Sequence, residues 1–100
     1  MRDPVVLFAA ALAAGCAFDP GPVEEVAATE AAIAEALNAG AAELAPWELR
    51  LAREKLELSK RFIAANDHKP ARWLVEEAQL DASVAAVKAM RARVGGDASR

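Results

Sequence analysis

Apolar positions fall in stretches of different character along the chain. The first, Val5 to Ala14, is unbroken and follows the positive charge of Met1 and Arg2. About ten helical residues reach ~15 Å, half of a ~30 Å hydrocarbon core, so the run cannot span a bilayer. Its length is that of a signal-peptide hydrophobic region, and small residues suited to a signal peptidase follow it. A buried helix apolar on every side would need a larger protein around it. We therefore expect residues 1–15 to be a cleaved export signal. Asp19-Pro20-Gly21-Pro22 then reads as a short, stiff, non-helical tether, with residues 16–22 linking the signal to the body.

After the tether the apolar positions recur at helical spacing. Helix one is expected from about Pro22 to Asn38, with a sparse stripe of Val23, Val26, Ile33 and Leu37. Glu24 and Glu25 suit its start, and Asn38-Ala39-Gly40 its stop. Helix two should begin at Pro46, a first-turn proline, and reach about Ala65. Leu49, Ala52, Leu56, Ser59 and Ile63 share one face, with Leu51, Leu58 and Phe62 beside it. Arg50, Arg53, Glu54, Glu57, Lys60 and Arg61 occupy the remaining, solvated face. Asn66 to Pro70 is the turn, with Asp67 a candidate N-cap. Helix three should run from 69 to about Val94, ended by Gly95-Gly96. The expected domain is 23–95, with 96–100 a disordered tail.

The two long helices should pair as an antiparallel hairpin. Facing residues then have position numbers adding to one constant, which Leu49/Val87, Ala52/Val84, Leu56/Leu80 and Ile63/Trp73 all satisfy. Ser59 opposite Glu77 would be a wet step in that seam. Small residues at Ala52, Ala78, Ala82 and Ala85 should let the helices approach closely, giving a tight antiparallel pair of ~30 Å arms. Helix one, with the weaker stripe, should lie across the pair and fray first.

Composition narrows the class to all-α. Apolar residues make up 55% of the 100-residue chain, but alanine dominates and only 5% are aromatic. Alanine loses no side-chain entropy in a helix yet buries little area, at roughly 25 cal/mol per Å². The result should be one small alanine-rich three-helix domain with a thin core, dominated by the hairpin. The net charge of −3 argues against a nucleic-acid partner, and the single cysteine excludes an internal disulfide or a multi-cysteine metal site.

Catalytic chemistry is not assembled at any motif spacing. His68, the only histidine, has no partner ligand or nucleophile near it in sequence. Ser59 and Ser83 lack a glycine-rich elbow. Glu76 and Glu77 are adjacent, so on a helix they diverge by about 100° and cannot form a facing acid/base pair. Trp47 and Trp73 read as packing anchors at the two ends of the hairpin. The rival reading makes them exposed contacts, the candidate interaction surface of the chain.

Leu12-Ala13-Ala14-Gly15-Cys16 resembles a bacterial lipobox. The resemblance implies cleavage between Gly15 and Cys16, diacylglycerol in thioether linkage to Cys16, and acylation of its new amine with a chain such as palmitate. Ala17, where inner-membrane retention uses aspartate, implies sorting to the outer membrane. A second likeness rests on Ala31-Ala32-Ile33, Glu35-Ala36, Gly40-Ala41 and Ala45-Pro46-Trp47-Glu48-Leu49. It continues through Ala52, Glu54-Lys55-Leu56, Ala71 to Leu74, Glu77-Ala78 and Asp81-Ala82. On these residues the chain, from Ala31 to about Ala86, resembles the envelope-lipoprotein family catalogued as domain of unknown function 4398. Members often place an aromatic before the third helix, where this chain has Asp67-His68-Lys69-Pro70.

From these readings we expect a lipid-anchored periplasmic protein of the outer membrane. It would be a non-enzymatic interaction or scaffold module, with no cofactor beyond the covalent lipid on Cys16 and no metal. The partners expected are the membrane, through the anchor, and an envelope protein or a second copy. The alternative is a binding module for peptidoglycan or a small periplasmic ligand, which would need a concave polar cleft.

Overall fold

A computed structural model describes residues 18–98. Among these the chain is all-helical: α1 (Val23–Asn38), α2 (Ala41–Leu44), α3 (Pro46–Ala64) and α4 (His68–Ala98). The expected signal segment, the Gly15–Cys16 cleavage point and the lipidated Cys16 lie outside the described residues.

The turn chemistry explains the breaks. Gly40 adopts φ +94°, a left-handed conformation that costs glycine nothing, and its N–H closes onto Leu37 O at 3.0 Å. One extra helical turn, α2, follows where a plain loop is expected, and it buries Ala41 and Ala45. Pro46 then opens α3 at a position where its missing N–H is harmless. At the far end Asn66 takes φ 63°, donating from its N–H to Ile63 O, while the Asp67 N–H reaches Phe62 O. That pair of bonds is a Schellman stop with asparagine in the glycine role. The expected stop at Gly95-Gly96 does not occur. Neither glycine takes positive φ, and α4 continues through both to Ala98, so residues 96–98 extend the helix where a disordered tail is expected.

α4 is the spine. It packs antiparallel to α3 most extensively, then against α1, and also touches α2. Asp19, Thr29 and Ala39 meet Arg72, Val75 and Arg93 in rising order, so α1 runs along α4 in the same direction.

The seam differs from the expected one. The buried positions of α4 include Ala71, Val75, Ala78, Ala82, Ala85 and Ala89, alternating in steps of four and three like a heptad seam. Opposite them lie Leu49, Ala52, Leu56 and Ser59 of α3. Leu80 is 60% exposed, and Val84, Val87 and Trp73 also face outward, so the expected Leu56/Leu80 register is wrong. Large side chains at the seam would hold the helices apart. Alanines let axes approach to roughly 8 Å, the short end of the usual range, around which α1, α2 and α3 can all gather.

Close approach also explains the buried hydroxyls. Ser59 Oγ donates to Ala71 O at 2.8 Å across the seam, so the expected wet step opposite Glu77 is instead a dry, satisfied hydrogen bond. Thr29, absent from the expected helix-one stripe, is fully buried beside Ile33 and Ala36. Its Oγ1 donates to Glu25 O at 2.8 Å, with Val75 O of α4 at 3.4 Å. Val23 and Leu37, expected in that stripe, sit at its exposed edges.

Candidate functional site

The α3–α4 hairpin has two sides, and among the described residues only one is covered. α1 covers the first, where Lys60 Nζ meets Glu30 at 3.2 Å and Arg93 donates to Ala39 O at 3.3 Å. Ion pairs run along the second. Lys55 Nζ lies 2.7 Å from Asp81 and 3.5 Å from Glu77, and Lys88 Nζ lies 2.6 Å from Glu48. Lys55–Asp81 and Glu48–Lys88 do follow the expected register. Long side chains lean toward the start of their own helix, so they reach farther along the partner than alanines do.

Apolar side chains lie beyond these ion pairs, farther round each helix from the seam. Leu51 and Leu58 lie one turn from Lys55 on α3, while Leu80 and Val84 lie one turn from Glu77 and Asp81 on α4. Leu58, Leu80, Val84 and Val87 are exposed, and Leu51 and Phe62 are half-buried. The outer residues Trp73, Leu80, Val87 and Val94 repeat every seven, giving α4 a second apolar stripe opposite its alanine seam. Trp47 and Trp73 are each 60% exposed, so the packing-anchor reading is corrected. Trp47 instead carries the Arg50 guanidinium 5.5 Å from its ring centroid, a surface cation–π contact. The signal for this surface was present in the sequence as apolar residues left over once alanine takes the seam.

A second cluster gathers at the hairpin turn. Asp19 accepts from the Gly21 N–H at 2.9 Å, and both of its carboxylate oxygens lie 3.0 Å from Arg72 Nη2. His68 Nδ1 is 3.6 Å from the same carboxylate. The Gly21 N–H first, then Arg72, hold the Asp19 carboxyl below its ordinary range. Gly21 sits at φ +86°, and a Cβ there would meet the His68 ring at 3.0 Å. Pro22 is fully buried beside it. The described part of the segment read as a short, stiff tether, residues 18–22, is docked onto the start of α4. His68 therefore has a partner that sequence spacing could not reveal, because Asp19 is remote in the chain.

The remaining candidates are placed apart. Ser59 is sealed in the seam and Ser83 is exposed. Glu77 is engaged with Lys55, while Glu76 points to solvent. Depressions on the surface are open and shallow: one is lined by Arg53, Glu54, Glu57, Leu58 and Arg61, all on α3, and another by Glu76, Gln79, Leu80 and Ser83, all on α4. Among the described residues there is no cluster of three or more metal-ligating side chains. No helix among them is long and apolar enough to cross a membrane.

The family described as "Domain of unknown function (DUF4398)" matches residues 24–98. The chain belongs to that family. Its match begins in the first turn of α1 and ends with α4, so the family's span is the whole helical body, wider than the resemblance read from 31 to 86. Among curated proteins and solved structures no match is found.

Proposed function

We propose that this DUF4398 chain is an outer-membrane lipoprotein, anchored through Cys16 on the periplasmic side, that acts as a non-enzymatic helical interaction module. The observation that carries the reading is the uncovered apolar side of the hairpin. Leu58 of α3 stands exposed beyond the ion pairs, and Trp73, Leu80, Val87 and Val94 form an exposed stripe along the outer face of α4. An exposed apolar stripe rimmed by charge marks a protein contact more than a ligand cleft. The shallow, single-helix depressions offer little to enclose a small molecule. The occupant is an envelope protein or a second copy, because an alanine core contributes little area and gains from a partner.

Photo-crosslinking in intact cells tests it. A benzophenone side chain at Leu80 or Leu58 is expected to give a discrete adduct, while the same group at the solvent-facing Ala27 of α1 gives none. Absence of adducts from both hairpin positions would reject the surface as a contact. The anchor is tested separately: Cys16→Ser should abolish incorporation of labelled palmitate. Retention on purified peptidoglycan by a form lacking the Leu58 and Leu80 side chains would favour the glycan-binding alternative.

A further inference from the structure

The clasp at the hairpin turn fixes where the N-terminal segment leaves the helical body. Asp19 is held to Arg72 and lies beside His68, Gly21 is packed on the His68 ring, and Pro22 is buried. These contacts tie the segment to the first turns of α4, next to the α3–α4 turn. Cys16 precedes Asp19 by three residues, and three extended residues reach only about 10 Å. Whatever holds Cys16 therefore holds the turn end of the hairpin close to it.

We propose that the α3–α4 turn end is a bilayer-facing surface, with Phe18 and Trp73 at the lipid headgroup level and the Trp47 end directed away from the membrane. This rests on the lipid anchor at Cys16 proposed above. Two aromatic side chains flank the clasp. Phe18, adjacent to Asp19, is 77% exposed, and Trp73, adjacent to Arg72, is 60% exposed. Aromatic rings prefer the membrane interface, where an apolar body meets a wet boundary. Lys69, exposed in the same turn of α4, adds a cation suited to lipid phosphate. The anchor supplies the affinity, and the clasp supplies the orientation. Along α3, at 1.5 Å per residue, Trp47 lies on the order of 20 Å farther from the turn end than Trp73 does. The apolar hairpin side then stands upright, presented sideways to partners in the periplasm.

The chain carries one tryptophan near each end, which makes the orientation measurable. Full-length protein extracted from cells is weighed for its acyl chains, then placed in phosphatidylethanolamine/phosphatidylglycerol vesicles bearing a headgroup spin-label quencher. Trp47→Phe leaves Trp73 as the reporter, and Trp73→Phe leaves Trp47; both side chains are exposed, so neither variant disturbs the core. Trp73 emission is expected to be quenched at least about twofold more than Trp47 emission, as interfacial aromatics are. Arg72→Ala, which opens the clasp, should narrow that difference. Equal quenching, or stronger quenching of Trp47, in protein that carries acyl mass would overturn the orientation and leave the anchor standing. Protein without acyl mass would overturn the anchor itself, and the orientation with it.

Discussion

Gly40 and Gly96 show how one residue type does opposite work at two positions. Gly40 sits at φ +94°, where a Cβ would also meet Leu44 Cδ1 at 3.4 Å. Gly40→Ala should therefore destabilise the fold by roughly 1–2 kcal/mol, since an L-residue there is strained. Gly96 has ordinary helical φ, and a Cβ there would meet nothing within 4 Å. Gly96→Ala should stabilise by a few tenths and at most about 1 kcal/mol, because alanine loses less backbone entropy in a helix. Urea titrations of the two variants check the opposite signs. From sequence, both positions read as helix stops. Only Gly40 is one, because the chain must turn back there to bring α3 onto α4, whereas α4 runs on through Gly96 to Ala98.

Among the elements, the hairpin shows what sequence patterning could and could not resolve. Helix positions followed from proline at the start, left-handed residues at the stop and apolar recurrence between them. The facing surfaces followed only in part. Ala52, Ala78, Ala82 and Ala85 are buried at the close approach, as expected, but Leu80, Val84 and Val87, expected to face α3 across the seam, are exposed. Two substitutions separate these arrangements. Ala78→Leu should cost roughly 1–3 kcal/mol by forcing α3 and α4 apart. Leu80→Ala should stay within about 0.5 kcal/mol, as exposed positions do. In the expected Leu56/Leu80 register Leu80→Ala would cost about 2–5 kcal/mol through a cavity. Thermal melts of the pair decide it, since 1 kcal/mol moves the midpoint of a domain this size by about 4–8 °C.

For the whole molecule, ion pairs add links between elements that one thin shared core already joins. Arg72 joins the N-terminal segment to α4, Lys60 joins α1 to α3, and Lys55 and Lys88 join α3 to α4. Asp19 is held below its ordinary range by the Gly21 N–H and Arg72, and Glu48 by Lys88. A carboxyl lowered on folding stabilises above its unfolded value and loses that contribution as pH falls through the folded one. Lys55 and Lys60 are raised, chiefly by Asp81 and Glu30, so their contribution holds at neutral pH and is lost above the ordinary lysine range. The melting midpoint should therefore be nearly flat from about pH 6 to 9 and fall below about pH 4. Glu48→Gln should flatten part of that acid limb. An acid limb unchanged in Glu48→Gln and in Asp19→Asn would remove these carboxylates as its cause.

Sequence by itself determined the class, the helix count of the long elements, their ends at Gly40, Pro46 and Asn66, and the solvated charged face of α3. Each of these depends on local physics: backbone propensity, forced φ angles and the 3.6-residue repeat. Tertiary structure alone decided that Leu80, Val84 and Val87 stay outside the seam, that Thr29 and Ser59 are sealed polar groups, and that Asp19 clasps Arg72 and His68. Those outcomes depend on how near three helices can approach one spine. Burial of any one side chain there is set by the packing of all the others, so no local pattern encodes it. The exposed Trp47 and Trp73, and the apolar side between them, are what that competition left at the surface.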